Sequence, residues 1–79
     1  MPVLTLYGTS ACHLCEQAEH LLQGLAAAGV NLGYEKVDIS ESDVLFERYG
    51  LLIPVLAFPH GKELCWPFSA EQVEQFLGG

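Results

Sequence analysis

The chain has 79 residues, half of them hydrophobic, which suits one compact domain spanning residues 1–79 and excludes a second core or a lobe enclosing a large cofactor. Ten acidic residues face three Lys/Arg, a net charge of −7 that repels phosphate backbones and anionic lipid headgroups, so neither a nucleic-acid nor a membrane partner is expected. Three cysteines are an odd number and too few for a disulfide-stapled secreted domain; with no basic leader and no apolar run of membrane-spanning length, the expected compartment is the cytoplasm.

Val3 to Tyr7 is a β-branched and aromatic run ended by Gly8-Thr9-Ser10, the pattern of a strand buried on both faces. From about His13 to Ala28, Leu14, Ala18, Leu21, Leu22 and Leu25 form one apolar helical stripe, with Gly29 placed to end it. Glu16, Glu19, His20 and Gln23 fall off that stripe and are expected to face water. A second strand is expected from Gly33 to Ile39, and Ser40 to Asp43 supplies caps for a short helix ending near Tyr49-Gly50.

Leu51 to Phe58 becomes strand-like from Pro54 onward, because proline is tolerated at the first residue of a strand. Pro59-His60-Gly61-Lys62 reads as a tight turn, after which Glu63 to Trp66 returns antiparallel. Ser69 and Gln72 make a capping-box pattern ahead of a last helix carrying Val73, Phe76 and Leu77. The order is β-α-β-α-β-β-α, and a right-handed crossover makes the first two strands parallel.

The chemistry concentrates in Cys12-His13-Leu14-Cys15. Thiols three residues apart share one helical face, close enough for a reversible disulfide, and their place where a strand opens a βαβ unit points to redox chemistry. Cys12 sits at the helix start, where backbone N–H groups favour the thiolate, while Cys15 lies one turn further in. Cys12 is therefore the expected nucleophile and Cys15 the resolving thiol. No Lys or Arg lies in the first helix or the loop before it and Glu16 is close, so the Cys12 thiol is expected only modestly below the ordinary thiol range.

A closed zinc site needs four ligands, and beyond Cys12, His13 and Cys15 the sequence offers only Cys65, with His20 and His60 distant. No metal site is expected within one chain, whereas a cluster shared between two subunits stays open. Cys65 belongs to an apolar strand and reads as core. Trp66, Pro67 and Phe68 suit either a cap on the core or an apolar rim beside the dithiol. By residue physics alone Pro54 is expected trans, since X–Pro bonds are cis in only about 5–6% of folded cases.

Taken together, Leu4 to Cys15, Val37-Asp38-Ile39, Tyr49-Gly50 and Ile53-Pro54-Val55-Leu56 resemble the glutaredoxin-like branch of the thioredoxin superfamily. The resemblance implies an α/β fold with a four-stranded mixed sheet and helices on both faces, in which Pro54 is cis and faces the dithiol. It also implies that the Ile53 backbone pairs with an extended substrate by strand addition. Ala11 stands where glutathione-dependent members usually carry a basic residue, His13-Leu14 replaces the usual Pro-Tyr, and Trp66 to Ser69 occupies the place of a Gly-Gly pair. Side-chain recognition of glutathione carboxylates is thus not provided, although Ser69 and the last helix's first amides can receive an anion.

The expected activity is thiol-disulfide oxidoreduction through Cys12 and Cys15, with His13, Ile53, Pro54, Trp66 and Ser69 lining the substrate site. The expected substrate is a protein disulfide or a glutathione mixed disulfide, a reductase system restores the dithiol, and glutathione is a candidate co-substrate with no tightly bound cofactor. A monomer is expected. The alternatives are a non-catalytic binding module of the same fold and an iron-sulfur cluster carrier formed by two subunits.

Overall fold

Residues 1–78 are described by a computed structural model. Strand β1 (Val3–Gly8) buries Leu4 and Leu6 completely or nearly so on one face, with Thr5 and Tyr7 half-buried on the other. Helix α1 (His13–Ala27) ends as its sequence predicts: Gly29 takes a φ of 97°, Val30 N–H donates to the Leu25 carbonyl and Gly29 N–H to that of Ala26. Only glycine enters that left-handed conformation without strain, and the paired bonds satisfy carbonyls that a helix end otherwise orphans.

Strand β2 (Gly33–Asp38) runs parallel to β1, with Val3 opposite Gly33 and Gly8 opposite Asp38. It stops one residue before the expected Ile39. The Asp38 carboxylate accepts the Ser40 N–H at 2.9 Å and hydroxyl at 2.7 Å, turning the chain into a single 3-10 turn, Ile39–Glu41. Helix α2 (Asp43–Tyr49) follows, capped by Ser42, whose hydroxyl accepts the Leu45 N–H.

The strands β3 (Val55–Ala57) and β4 (Glu63–Cys65) are short and antiparallel, and β3 also runs antiparallel to β1, giving the order β2-β1-β3-β4. Helix α3 (Ala70–Gly78) starts with the expected reciprocal cap: Ser69 N–H donates to Gln72 Oε1 and Gln72 N–H to Ser69 Oγ.

Two apolar clusters flank the sheet. Leu4, Leu6, Leu56 and Phe58 pack with Ala18, Leu22 and Leu25 of α1 and Val73 of α3, while Val55 and Tyr7 on the opposite face pack with Ile39 and with Leu45 and Tyr49 of α2. Each fully buried Leu in the first cluster contributes roughly 1.5–3 kcal/mol relative to exposure. Phe68 is buried in this cluster and meets Trp66 edge to face at 5.1 Å, so the ambiguous Trp66 to Phe68 segment divides into a core residue, a half-buried one and an exposed Pro67.

Three expectations are corrected. Leu14 is 44% exposed, because Cys15 takes the inward position at the start of α1. Glu19 does not face water freely; it accepts the Tyr34 hydroxyl at 2.7 Å and Lys36 Nζ at 3.4 Å. Cys65 is exposed rather than core, since it lies on the edge strand opposite Val55, on the face covered only by short α2, and Leu64 takes the inward position.

The second cluster is fastened to the sheet edge by a polar contact. The buried Tyr49 ring stacks on Tyr7 at 4.5 Å, lies 5.3 Å from the Arg48 guanidinium, and its hydroxyl donates to Glu63 Oε2 on β4 at 2.5 Å. The Glu63 bond and, secondarily, burial push the Tyr49 phenol up to about 12. A phenol raised on folding contributes stability that is complete below its unfolded value of about 10 and lost as pH rises to the folded value. Tyr49→Phe is expected to lose about 1–2 kcal/mol in urea unfolding at pH 7. It should also flatten the wild type's loss of stability between about pH 10 and 12; an unchanged alkaline limb in Tyr49→Phe would refute this role.

Candidate functional site: a dithiol at a helix start

The loop from Thr9 to Ala11 carries the chain from the end of β1 to Cys12, which is the N-cap of α1 with extended φ and ψ of −115° and 107°. Its sulfur accepts the Cys15 N–H at 3.1 Å, a position where an N-cap usually presents an oxygen. Cys12 and Cys15 are joined in a disulfide, their Cα atoms 5.2 Å apart. Cys12 is half-exposed and Cys15 only 9% exposed, so Cys12 is the more accessible of the two to an incoming group. An amide proton at the Cys12 sulfur, with the helix dipole behind it, stabilises a thiolate at that atom when the bond is reduced.

Gly8 makes this arrangement possible. A Cβ there would stand 2.7 Å from Cys15 Sγ and 3.2 Å from its Cβ, so the end of β1 and the first turn of α1 approach as closely as they do only because the side chain is missing. The sequence reading treats Gly8 as the end of a strand and misses this role. Its only linear signal is a glycine four residues before the first cysteine.

The residues expected to surround the dithiol take different places. The Ile53–Pro54 bond is cis and Pro54 is fully buried. Because Tyr7 pairs with Val55, continuing the antiparallel register sets Pro54 beside Gly8, at the end of the sheet from which the Cys12 loop departs. Trp66 N–H donates to the Pro54 carbonyl at 3.0 Å, bringing half-buried Trp66 to the same end, and the Trp66–Pro67 bond is also cis. Half-buried Ile53 already donates its N–H to the Tyr49 carbonyl at 3.1 Å, whereas its own carbonyl accepts no hydrogen bond among the described residues.

His13 points outward, its side chain 81% exposed and Nδ1 3.7 Å from Glu16 Oε2. Ser69 spends its hydroxyl lone pair and N–H on Gln72 at the start of α3. Among the described residues, no three His, Cys, Asp or Glu side chains gather as metal ligands.

On the β2 side of the disulfide lies a cleft of about 320 Å³, lined by Gly8, Thr9, Ser10, Cys12, Cys15 and Glu16, and further by Glu19, Lys36, Val37 and Asp38. None of the other site residues expected from the sequence borders it. The Tyr34 hydroxyl first, and Lys36 less strongly, hold the Glu19 carboxyl below the usual carboxylate range. Hydrogen bonds from Ser40 do the same for Asp38. Tyr34 itself is pushed up, by burial and then by Glu19.

A β1-α1-β2 unit presenting a dithiol at the first helix, followed by an antiparallel hairpin entered through a cis-proline, defines a thioredoxin-fold protein with a redox-type cysteine pair. The chain belongs to the Glutaredoxin-like domain family (DUF836), whose model matches residues 3–78. It is similar to XcR50 from X. campestris, 41% identical in the X-ray structure, with 95% of each chain covered and a TM-score of 0.76. Ne2328 from Nitrosomonas europaea is 27% identical over 95% of this chain and 89% of that one, with a TM-score of 0.80. A thioredoxin from Trichomonas vaginalis shares the fold, with a TM-score of 0.53 at 22% identity, covering 98% of this chain and 74% of that one. No curated protein matches the chain.

Gly8→Ala is expected to cost about 1–3 kcal/mol of stability, more when Cys12 and Cys15 are joined, because a reduced Cys15 can rotate away. Urea unfolding with and without a reductant tests this, and equal stability of the oxidised variant and wild type would overturn it. Alkylation of the reduced protein against pH should show Cys12 reacting first with a rise in the neutral range. A midpoint below about 5, as in the most acidic redox thiols, would contradict modest activation.

Proposed function

We propose that this protein is a thiol-disulfide oxidoreductase. Cys12 thiolate attacks a substrate disulfide and forms a mixed disulfide, and Cys15 then attacks Cys12 and releases the substrate, leaving the intramolecular bond. The observation that carries this reading is the asymmetry of the pair: Cys12 half-exposed and hydrogen-bonded to a helix-start amide, Cys15 buried behind it. Pro54 and the free Ile53 carbonyl, at the same end of the sheet, offer an extended peptide a backbone acceptor.

The substrate in this reading is a protein disulfide or a glutathione mixed disulfide in the cytoplasm, and glutathione or a reductase resets the dithiol. In this reading His13 and Trp66 take part in holding the substrate, and Ser69, whose oxygen accepts the Gln72 N–H, contributes through the start of α3.

Cys12→Ser is expected to abolish disulfide reduction. Cys15→Ser should retain attack but stop at the mixed disulfide, seen as a mass increase equal to one substrate half. Full turnover by the Cys12→Ser variant would reject the mechanism.

A further inference from the structure

The cleft beside the disulfide has a definite electrical character. Glu16, Glu19 and Asp38 line it, and Lys36 is the one cation lining it among the described residues. Lys36 Nζ lies 3.4 Å from Glu19, so these two offset each other; Glu16 has only the His13 ring beside it, Nδ1 at 3.7 Å, which offsets its charge only when protonated, and Asp38 has no cation beside it among the described residues. The chain's other cations stand elsewhere. Arg48 lies over the Tyr49 ring of α2, which packs on the opposite face of the sheet. Lys62 is in the turn between β3 and β4; with Thr5 opposite Ala57 and Tyr7 opposite Val55, that turn falls at the end of the sheet away from Cys12. A substrate group entering the cleft therefore meets carboxylates on the same walls that carry Cys12.

We propose that this cleft receives the group attached to a substrate's sulfur and selects for positive charge, so that disulfides flanked by ammonium or guanidinium groups are the preferred substrates and carboxylate-flanked ones are poor. The inference rests on the oxidoreductase reading and narrows its substrate class. Glu16 and Asp38 are the specificity-determining residues. In the first step a Cys12–substrate S–S bond forms, the substrate S–S bond breaks, and the departing thiolate takes a proton from water. In the second, Cys15, deprotonated to solvent, forms the bond to Cys12 and expels the other thiolate. Two electrons pass from the dithiol to the substrate, and an external thiol reductant restores them. Charge at the cleft acts on encounter and on placement of the first sulfur, where fields of this kind change rates by about 10- to 1,000-fold at low salt.

The test uses the reduced, desalted protein at pH 8, oxidised in separate reactions by cystamine with two ammonium groups, by neutral bis(hydroxyethyl) disulfide and by dithiodipropionate with two carboxylates. Loss of free thiol is followed, and each rate is divided by that of dithiothreitol with the same disulfide to remove intrinsic reactivity. At an ionic strength of about 0.01 M, where the screening length is about 30 Å, normalised rates should fall in the order cation, neutral, anion. Cystamine should exceed dithiodipropionate about tenfold or more. The ratio should approach one in about 1 M salt, where that length is about 3 Å. It should also drop to about threefold or less in the double variant Glu16→Gln, Asp38→Asn, in which the amide oxygen introduced at position 38 can still accept from Ser40. Equal or inverted rates, with all three disulfides oxidising the protein, would overturn the substrate class and leave the oxidoreductase reading standing. A preference undiminished in the double variant would remove the cleft from the explanation. Failure of every disulfide to oxidise the dithiol would instead refute the oxidoreductase reading itself.

Discussion

The approach of Cys15 to the end of β1 is the contact on which the rest of the site depends. The first turn of α1 lies against the end of β1, and Gly8, with no side chain under Cys15 Sγ, leaves the room for it. That contact buries the second sulfur, leaves the first at the helix start, and lets one backbone amide serve both as a cap donor and as the partner of Cys12. A polar side chain at position 12 would cap the helix equally well. What cysteine adds is a cap atom that can be oxidised, so the helix cap and one half of the disulfide are the same group.

The remainder of the sheet brings its own constraint to the same end. Register between β1 and β3 sets Pro54 alongside Gly8, and the β4 edge adds Trp66 through a bond to the Pro54 carbonyl. The face away from α1 is thinly covered. Seven-residue α2 is held there by the Tyr49 stack on Tyr7 and the hydroxyl bond to Glu63, which leaves Cys65 in the open. Charge is distributed unevenly over this frame. With so few cations in the chain, the positions of Lys36, Arg48 and Lys62 decide where negative potential is left uncompensated, and the cleft next to the dithiol is such a place.

Much of the fold was legible because its signals are local. Helical periodicity from Leu14 to Leu25, Gly29 as a terminator, the Ser69 and Gln72 cap and the turn before Lys62 each rest on residues within a few positions of one another. The misreadings share a cause. Leu14 and Cys15 are adjacent, and only the angle at which α1 meets the sheet decides which one points inward. Cys65 looks like core in an apolar strand, yet it lies on the edge strand, on the face that only short α2 covers, and is exposed. Glu19 falls on the polar side of its helix, and Tyr34 and Lys36 reach it from β2, a neighbour that periodicity cannot supply.

By itself the sequence determined the element order, the parallel first pair of strands, the pairing of two thiols at a helix start and the acidic balance, because each follows from spacing or composition. The tertiary structure alone decided that Gly8 is what lets Cys15 sit where it does, which backbone groups of Ile53 and Pro54 are already spent, and where the cations lie relative to the dithiol. These depend on contacts between residues far apart in the chain, whose distances are set by sheet register and helix docking rather than by any local preference.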